Sequence, residues 1–392
     1  MRRRRFRLSM SGLGGVVLVV MGLVCVLSLP WTTGLVGERG FDYNHQILAA
    51  QHVPPGLSAI DGETLANLPE GAARPGVVHR LFGTDGLGRS LLSRCLLGGS
   101  ISLGIGLAAA TLTMIIGTAW GMISGYAGGR VDSAMMRTVD VLYGLPYILL
   151  VVLLKVAVDG ALERYQFQAT ENLKGDAYVE ARAENDAAKG EMAAALQQLA
   201  AARESGDEAR VAGVLAEVDA ANDRVIETDI RPWLLRLIET QGWLVNVGSL
   251  LVAIGAVSWL TLARVVRGQV LSLKAQPFVE AARAQGAGPG RILVKHILPN
   301  LIGPIIVYTT LTVPQAILQE SFLSFLGIGV QAPLPSWGNL ASEGLAELNP
   351  VVTRYWLIFW PCVLLGVTLL SLNFLGDGLR DRFDPRSRTV KA

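Results

Sequence analysis

Apolar residues run along this chain in blocks of roughly 20, the length a helix needs to cross a hydrocarbon core about 30 Å thick. Six blocks stand out, near residues 10–29, 98–124, 138–158, 243–262, 300–323 and 352–376. They predict an all-α membrane protein with six transmembrane helices. Residues 159–241 break the pattern, with 17 acidic and 9 basic residues, a net charge of −8. Within them Met192, Leu196 and Leu199, then Val211, Leu215, Val218 and Val225, recur at helical spacing on either side of the polar run Glu204–Glu208. This spacing predicts two amphipathic helices folded as an antiparallel hairpin. The chain therefore divides into a basic segment and first anchor (1–30), a polar loop (31–97), two spans (98–158), the hairpin insert (159–241), three spans (242–376) and a tail (377–392).

Composition narrows the class. Of 392 residues 51% are hydrophobic and only 17% charged. A soluble domain carries about a quarter charged residues, and a disordered chain needs low hydrophobicity with high net charge. The formal charge of +2 gives no nucleic-acid footprint, so placement matters more than the sum. Arg2, Arg3, Arg4, Arg5 and Arg7 precede the first block, and no small-x-small cleavage site precedes Pro30. That block reads as an uncleaved anchor rather than a signal peptide.

Basic residues concentrate on alternate loops. The loop 263–299 holds Arg264, Arg267, Lys274, Arg283, Arg291 and Lys295 against Glu280 alone. The tail holds Arg380, Arg382, Arg386, Arg388 and Lys391, whereas 324–351 has Glu343 and Glu347 and no Lys or Arg. The positive-inside rule then places both termini and loops 125–137 and 263–299 in the cytoplasm, with the acidic insert outside.

Several features inside the spans invite a reading. Gly117, Gly121 and Gly125 form a small-xxx-small stripe suited to close helix packing. Pro146, Pro304, Pro314 and Pro361 lie in or near spans, where a neighbouring helix or a wet cavity must satisfy the freed carbonyls. Glu320, deep in the fifth span, is a candidate for the transport pathway. Asp140 is expected to pair structurally near the membrane surface. Lys155 is expected to snorkel from the outer end of its span. His45, His52 and His79 lack ligand spacing and are expected on the surface. Cys25, Cys95 and Cys362 are too scattered for a disulfide framework or a zinc site.

Signs of catalysis are absent from the sequence. It has no G-x-x-x-x-G-K-[ST], G-x-S-x-G or H-E-x-x-H pattern. The run Gly286–Arg291 is glycine-rich but lacks the Lys-Ser/Thr of a phosphate cradle. No catalytic residue, cofactor or metal is assigned to this chain.

The informative stretch is Phe278-Val279-Glu280-Ala281-Ala282-Arg283-Ala284-Gln285-Gly286, followed by Leu298-Pro299 twelve and thirteen residues after the glycine. Glu280–Gln285 predicts a short helix that Gly286 ends in a left-handed conformation. Pro299 suits the start of the next span, where a missing N–H is harmless. A short helix held between two spans is a lever that a soluble partner can grip.

This stretch resembles the EAA loop of ABC importer permeases. Four further motifs extend the resemblance to the C-type permease subunit of oligopeptide, dipeptide and nickel importers. They are Phe82–Ser90, Gly125–Asp132, Phe325–Gln331 with Pro335–Asn339, and Leu375–Asp381 with Asp384-Pro385-Arg386. The likeness covers roughly 80–392 apart from the insert, which departs from the compact family pattern, as does Ser90, where an Asp is common.

The resemblance implies the type I ABC importer permease fold. It also implies that Glu280, Ala281, Ala282 and Gly286 dock into a cytoplasmic ATPase subunit. ATP and Mg would then act on two partner ATPases, with a second homologous permease and an external solute-binding protein completing an importer in the cytoplasmic membrane. Peptides are the favoured solute. Two other readings stay open: a secondary transporter, which would want paired intramembrane acids and inverted repeats, and a membrane-anchored scaffold acting through its coiled-coil insert.

Overall fold

The structure, a computed structural model, describes residues 10–34, 41–56, 79, 81–172, 176–205, 208–227, 242–348 and 353–383. The arginine-rich start, the tail arginines Arg386 and Arg388 with Lys391, and the motif Asp384–Arg386 lie outside the described residues. All regular elements described are helices: α1 (Met10–Thr32), α2 (Leu91–Ala127), α3 (Gly129–Tyr143), α4 (Tyr147–Asn172), α5 (Asp176–Ser205), α6 (Glu208–Glu227), α7 (Gly242–Lys274), α8 (Pro277–Ala284), α9 (Pro289–Ile292), α10 (Leu298–Phe325), α11 (Trp337–Ala346) and α12 (Trp356–Phe383). A π-helical turn, Leu293–Ile297, joins α9 to α10. The expected all-α membrane fold stands.

Five helical stretches are long and apolar enough to cross a membrane: α1, α2, α7, α9 to α10, and α12. The expected span at 138–158 is not one helix. Its sequence is shared between α3 and α4, which are bent 95° apart. Pro146 stands at that break, after Gly144 has closed α3 with its N–H on the Asp140 carbonyl at 3.0 Å. The residue before a proline is driven out of the α region, which ends α3 there. The apolar run of the third span thus begins at Tyr147, and counting the bent pair as one crossing brings the total to six.

The chain forms two compact units, Ala157–Val245 and the remainder. In the smaller unit α5 and α6 pair as the expected hairpin, with Arg224 of α6 reaching back to Glu191 of α5 at 2.8 Å. The seam differs from expectation. Ala188, Ala195 and Ala202 on α5 and Val214 and Ala221 on α6 are buried at seven-residue intervals. Met192, Leu199, Val211 and Val218 only flank them, and Leu196 and Leu215 are exposed. Small side chains let the helix backbones approach, so the alanines go inside although leucine is the larger hydrophobe. The side chain of Val225 lies outside the described residues.

In the larger unit the glycine stripe packs α2 against α7. A methyl group at Gly121 would stand 2.5 Å from the Ala263 carbonyl oxygen and 2.8 Å from Val266 Cβ. Gly117 meets Leu262 and Gly125 meets Val270 in the same way. Burial of Val257, Leu260, Leu262, Ala263, Val266 and Val270 makes α7 a central column of this unit. Lys155 does not snorkel: it is fully buried and engaged. Because α4 runs on to Asn172, Lys155 sits well inside the helix, at four-residue spacing from the buried Val151.

Candidate functional site

The Glu280–Gly286 segment folds as a short amphipathic helix. α8 starts at Pro277, where the missing N–H costs nothing. Its C-terminus is closed by two bonds: Gly286 N–H donates to the Arg283 carbonyl and Ala287 N–H to the Ala282 carbonyl, both at 3.0 Å. This six-to-one and five-to-two pairing requires a left-handed residue at the first position past the helix. Gly286 supplies it with φ of +78°.

Burial splits the motif. Val279 and Ala282, three residues apart, are buried in a cluster with Met122 of α2, Val266 and Val270 of α7, Ile292, and Leu301 and Ile305 of α10. Phe278, Glu280, Ala281 and Ala284 are exposed on the other side. Of the two alanines assigned to docking, only Ala281 faces outward. Phe278, which sequence reasoning passed over, contributes an exposed aromatic to the same surface. The i, i+3 spacing of Val279 and Ala282 is the signal that separates the two faces. α8 therefore offers a small, partly acidic outer surface, while its inner side is rooted in three spans.

α3 is stapled to α7 at both ends. Arg267 binds the Asp132 carboxylate with Nε to Oδ1 and Nη2 to Oδ2, both at 2.6 Å. Ser124 Oγ donates to Asp132 Oδ1 at 2.5 Å. One helical turn away, Arg264 donates to Asp140 at 2.7 Å and lies 4.0 Å from the Tyr143 ring centroid. Asp140 thus makes the structural pair expected of it. Lys274 donates to the Tyr126 carbonyl at 2.7 Å. Hydrogen bonds from Arg267 hold the Asp132 carboxyl below the usual carboxylate range. Three of the basic residues that set the predicted topology are therefore also staples.

Glu320 is fully buried. Its carboxylate accepts from Ser324 Oγ at 2.7 Å and Ser321 Oγ at 3.2 Å. Ser324 Oγ in turn accepts the Val330 N–H at 2.9 Å, so this acid braces the turn after α10. The Phe325–Asn339 motif is not an open loop. It leads into α11, which begins with a reciprocal cap between Ser336 and Asn339 and buries Trp337 with its indole N–H on the Cys95 carbonyl at 3.1 Å.

At the same end of the molecule the Phe82–Ser90 motif folds around Asp85. That carboxylate accepts the N–H groups of Leu87 and Arg89 at 2.9 Å, and the side chains of Arg89 and Arg94 at 2.8 and 2.7 Å. Arg94 is buried and also holds Glu343 of α11 through two nitrogens at 2.6 and 3.0 Å. Ser90, where the resemblance leads to an expectation of Asp, caps α2 by accepting the Ser93 N–H at 3.4 Å. Serine and aspartate are both good N-caps, so the departure leaves the local structure unharmed.

Of the three histidines, His45 and His52 are half-buried and His79 departs fully from the expected surface location. His79 is buried, with neither ring nitrogen hydrogen-bonded among the described residues; burial pushes its pKa down and His45 adds to this. His52 lies 3.3 Å from Glu347 and adopts φ of +54°. Among the described residues no group of three His, Cys, Asp or Glu side chains is placed to hold a metal ion.

Apolar helices joined by a short amphipathic helix rooted in three of them define a multi-span membrane protein of the permease class. The sequence profile of the binding-protein-dependent transport system inner membrane component matches residues 117–389, and the chain belongs to that family. It is 35% identical to the oligopeptide transport system permease protein OppC of Bacillus subtilis over 81% of this chain and 75% of that one. It is 37% identical to the protein of the same name from Escherichia coli K12, over 78% and 72% of the two chains. The dipeptide transport system permease protein DppC of Bacillus subtilis is 34% identical over 83% and 72%.

Proposed function

We propose that this chain is one of two permease subunits of an ABC importer that moves peptides across the cytoplasmic membrane by alternating access. ATP, bound with Mg, is hydrolysed by two partner ATPases, and this chain itself hydrolyses nothing. α8 is the coupling element, with Glu280, Ala281 and Gly286 forming the docking side and Ala282 the root. An external solute-binding protein delivers the cargo. Both termini and α8 face the cytoplasm, and the α5–α6 hairpin faces outside, as the loop charges favour.

The observation that carries this reading is the two-sidedness of α8. Its exposed side is open to a soluble partner, and its buried side touches α2, α7 and α10. A displacement of α8 by a closing ATPase dimer therefore reaches three spans through packed side chains. Packed helices shift between discrete arrangements rather than deforming smoothly. The energy comes from the different nucleotide affinities of the two states. Peptide as cargo is supported by the names of the relatives. Glu320, first a pathway candidate, is better supported as a brace for the turn leading to α11.

The test is uptake and ATPase activity of the reconstituted importer carrying Glu280→Lys or Gly286→Leu. Both variants are expected to assemble but to lose ATP-driven uptake. Unchanged coupled uptake in both would rule out docking through α8.

A further inference from the structure

We infer that the face of α10 carrying Tyr308, Thr312, Gln315 and Gln319 lines the translocation path and hydrogen-bonds the backbone amides of a peptide in transit. This rests on the peptide-importer reading and supplies the wall of its path. The four residues are spaced by four, three and four positions, so at 3.6 residues per turn they fall within a sector of about 60°. All lie well inside a stretch apolar enough to span a membrane. Tyr308 is 39% exposed, Gln315 is exposed, and Thr312 and Gln319 are half-buried. Well round the helix from the stripe, Val313, Ile317 and Glu320 are buried.

A glutamine amide facing lipid tails would leave its donors and acceptor unsatisfied, a strongly unfavourable state in hydrocarbon. A polar stripe on an open face of a spanning helix therefore belongs against water or a polar ligand. The stripe is also preorganised. Gln319 Oε1 accepts from the Tyr147 hydroxyl at 2.7 Å, and that hydroxyl lies 2.8 Å from Ser258 Oγ of α7. With its oxygen engaged, Gln319 offers its amide N–H groups as donors.

Beside the stripe, a pocket of about 260 Å³ opens between α4 and α10, walled by Ile148, Val151, Leu318 and Phe322. None of the pocket-lining residues is charged. Amide and hydroxyl groups match the repeating donors and acceptors that every peptide backbone carries. An uncharged apolar pocket accepts side chains of many shapes. The combination suits a carrier that holds peptides by what they share rather than by sequence.

The test uses the complete reconstituted importer, with both permeases, both ATPases and the solute-binding protein. The exposed native thiol is removed by Cys362→Ser, while Cys25 and Cys95 are buried and stay. Gln315→Cys is compared with Leu107→Cys, a 63% exposed position on α2. A membrane-impermeant charged thiosulfonate is expected to label the Gln315→Cys importer faster than the Leu107→Cys importer. A mixture of neutral tri- to hexapeptides is expected to slow that labelling. Gln319→Leu is expected to lower uptake of the same mixture about tenfold, the worth of one hydrogen bond. Labelling at position 315 no faster than at 107, whether lipid or the second permease covers it, overturns the inference. Labelling without peptide protection overturns the peptide contact. If the unsubstituted importer takes up none of the peptides with ATP, the peptide-importer reading fails by a separate measurement.

Discussion

Arg267 of α7 grips Asp132 of α3 in a two-pronged ion pair, both contacts at 2.6 Å. With the Arg264–Asp140 pair it fixes α3 across the break that precedes α4. Asp132→Ala removes three hydrogen bonds to a carboxylate, two from Arg267 and one from Ser124, at a partly exposed pair and is expected to cost about 1–3 kcal/mol. Arg267→Lys, made alone, should keep only part of the pair, because an ammonium cannot make the fork. Thermal unfolding of the purified protein in detergent reads both.

The same pair has a pH signature. The Asp132 carboxyl is held below its ordinary value, chiefly by the hydrogen bonds from Arg267, with Ser124 adding to them. A carboxylate with a depressed folded pKa contributes stability that is fully present above the unfolded value of about 3.9. That contribution is lost as pH falls through the folded value. The melting temperature difference between the unsubstituted protein and Asp132→Asn should be constant from about pH 7 to 5 and shrink below about pH 4. A difference that instead shrinks between pH 7 and 5 would assign the effect to another group.

The glycine stripe makes a steric prediction. Any side chain at Gly121 runs into the Ala263 carbonyl oxygen. Gly121→Val should part α2 from α7 at a cost of about 1–3 kcal/mol. Gly268, on α7, has open space around its Cα, and Gly268→Ala should be neutral or slightly stabilising through helix propensity. Equal loss of folded protein for both, judged by size-exclusion chromatography, would contradict close packing at Gly121.

Much of this is legible in the sequence because spans and caps are written in local patterns. The left-handed Gly286, the α5–α6 hairpin and close packing at the Gly117–Gly125 stripe follow from local residues, whereas the stripe's partner α7 and the alanine seam of the hairpin do not. What escaped depends on partners far along the chain. Apolarity across 138–158 gave no warning that Pro146 would split the run into two bent helices. Lys155 reads as a snorkelling residue only if its helix ends near residue 158, whereas α4 runs on to Asn172. The pairing of Asp85 with Arg94, and of Arg94 with Glu343, joins residues 249 positions apart at its widest, and no window along the sequence contains it. At the α8 site, residue types were readable, but which of Ala281 and Ala282 faces outward depended on what lies beneath.

That split gives a sharp test of the coupling surface. Ala281 is exposed and Ala282 is buried against the α2, α7 and α10 cluster. Ala281→Glu should leave stability within about 0.5 kcal/mol of the unsubstituted protein while weakening capture of the ATPase subunits. Ala282→Glu forces a charge into the cluster and should lower stability by several kcal/mol. Co-purification with the ATPases and thermal unfolding separate the two. Loss of ATPase capture in neither variant would remove α8 as the docking element.

The hairpin insert forms a compact unit of its own, Ala157–Val245, with an alanine seam and the Glu191–Arg224 pair across it. The packing of α2, α7, α8 and α10 described above is complete without it. Deleting residues 165–228 and joining the ends with a short flexible linker is therefore expected to leave membrane insertion intact. Closing a loop costs little in chain entropy, because that cost grows only with the logarithm of loop length. The measurement is the membrane-fraction yield of the deletion beside the full chain, with extraction by carbonate at high pH to separate inserted from adsorbed protein. Comparable inserted protein with uptake retained would make the hairpin an ornament, and comparable insertion with uptake lost would make it a docking surface. Loss of insertion itself would mean that the insert belongs to the permease core.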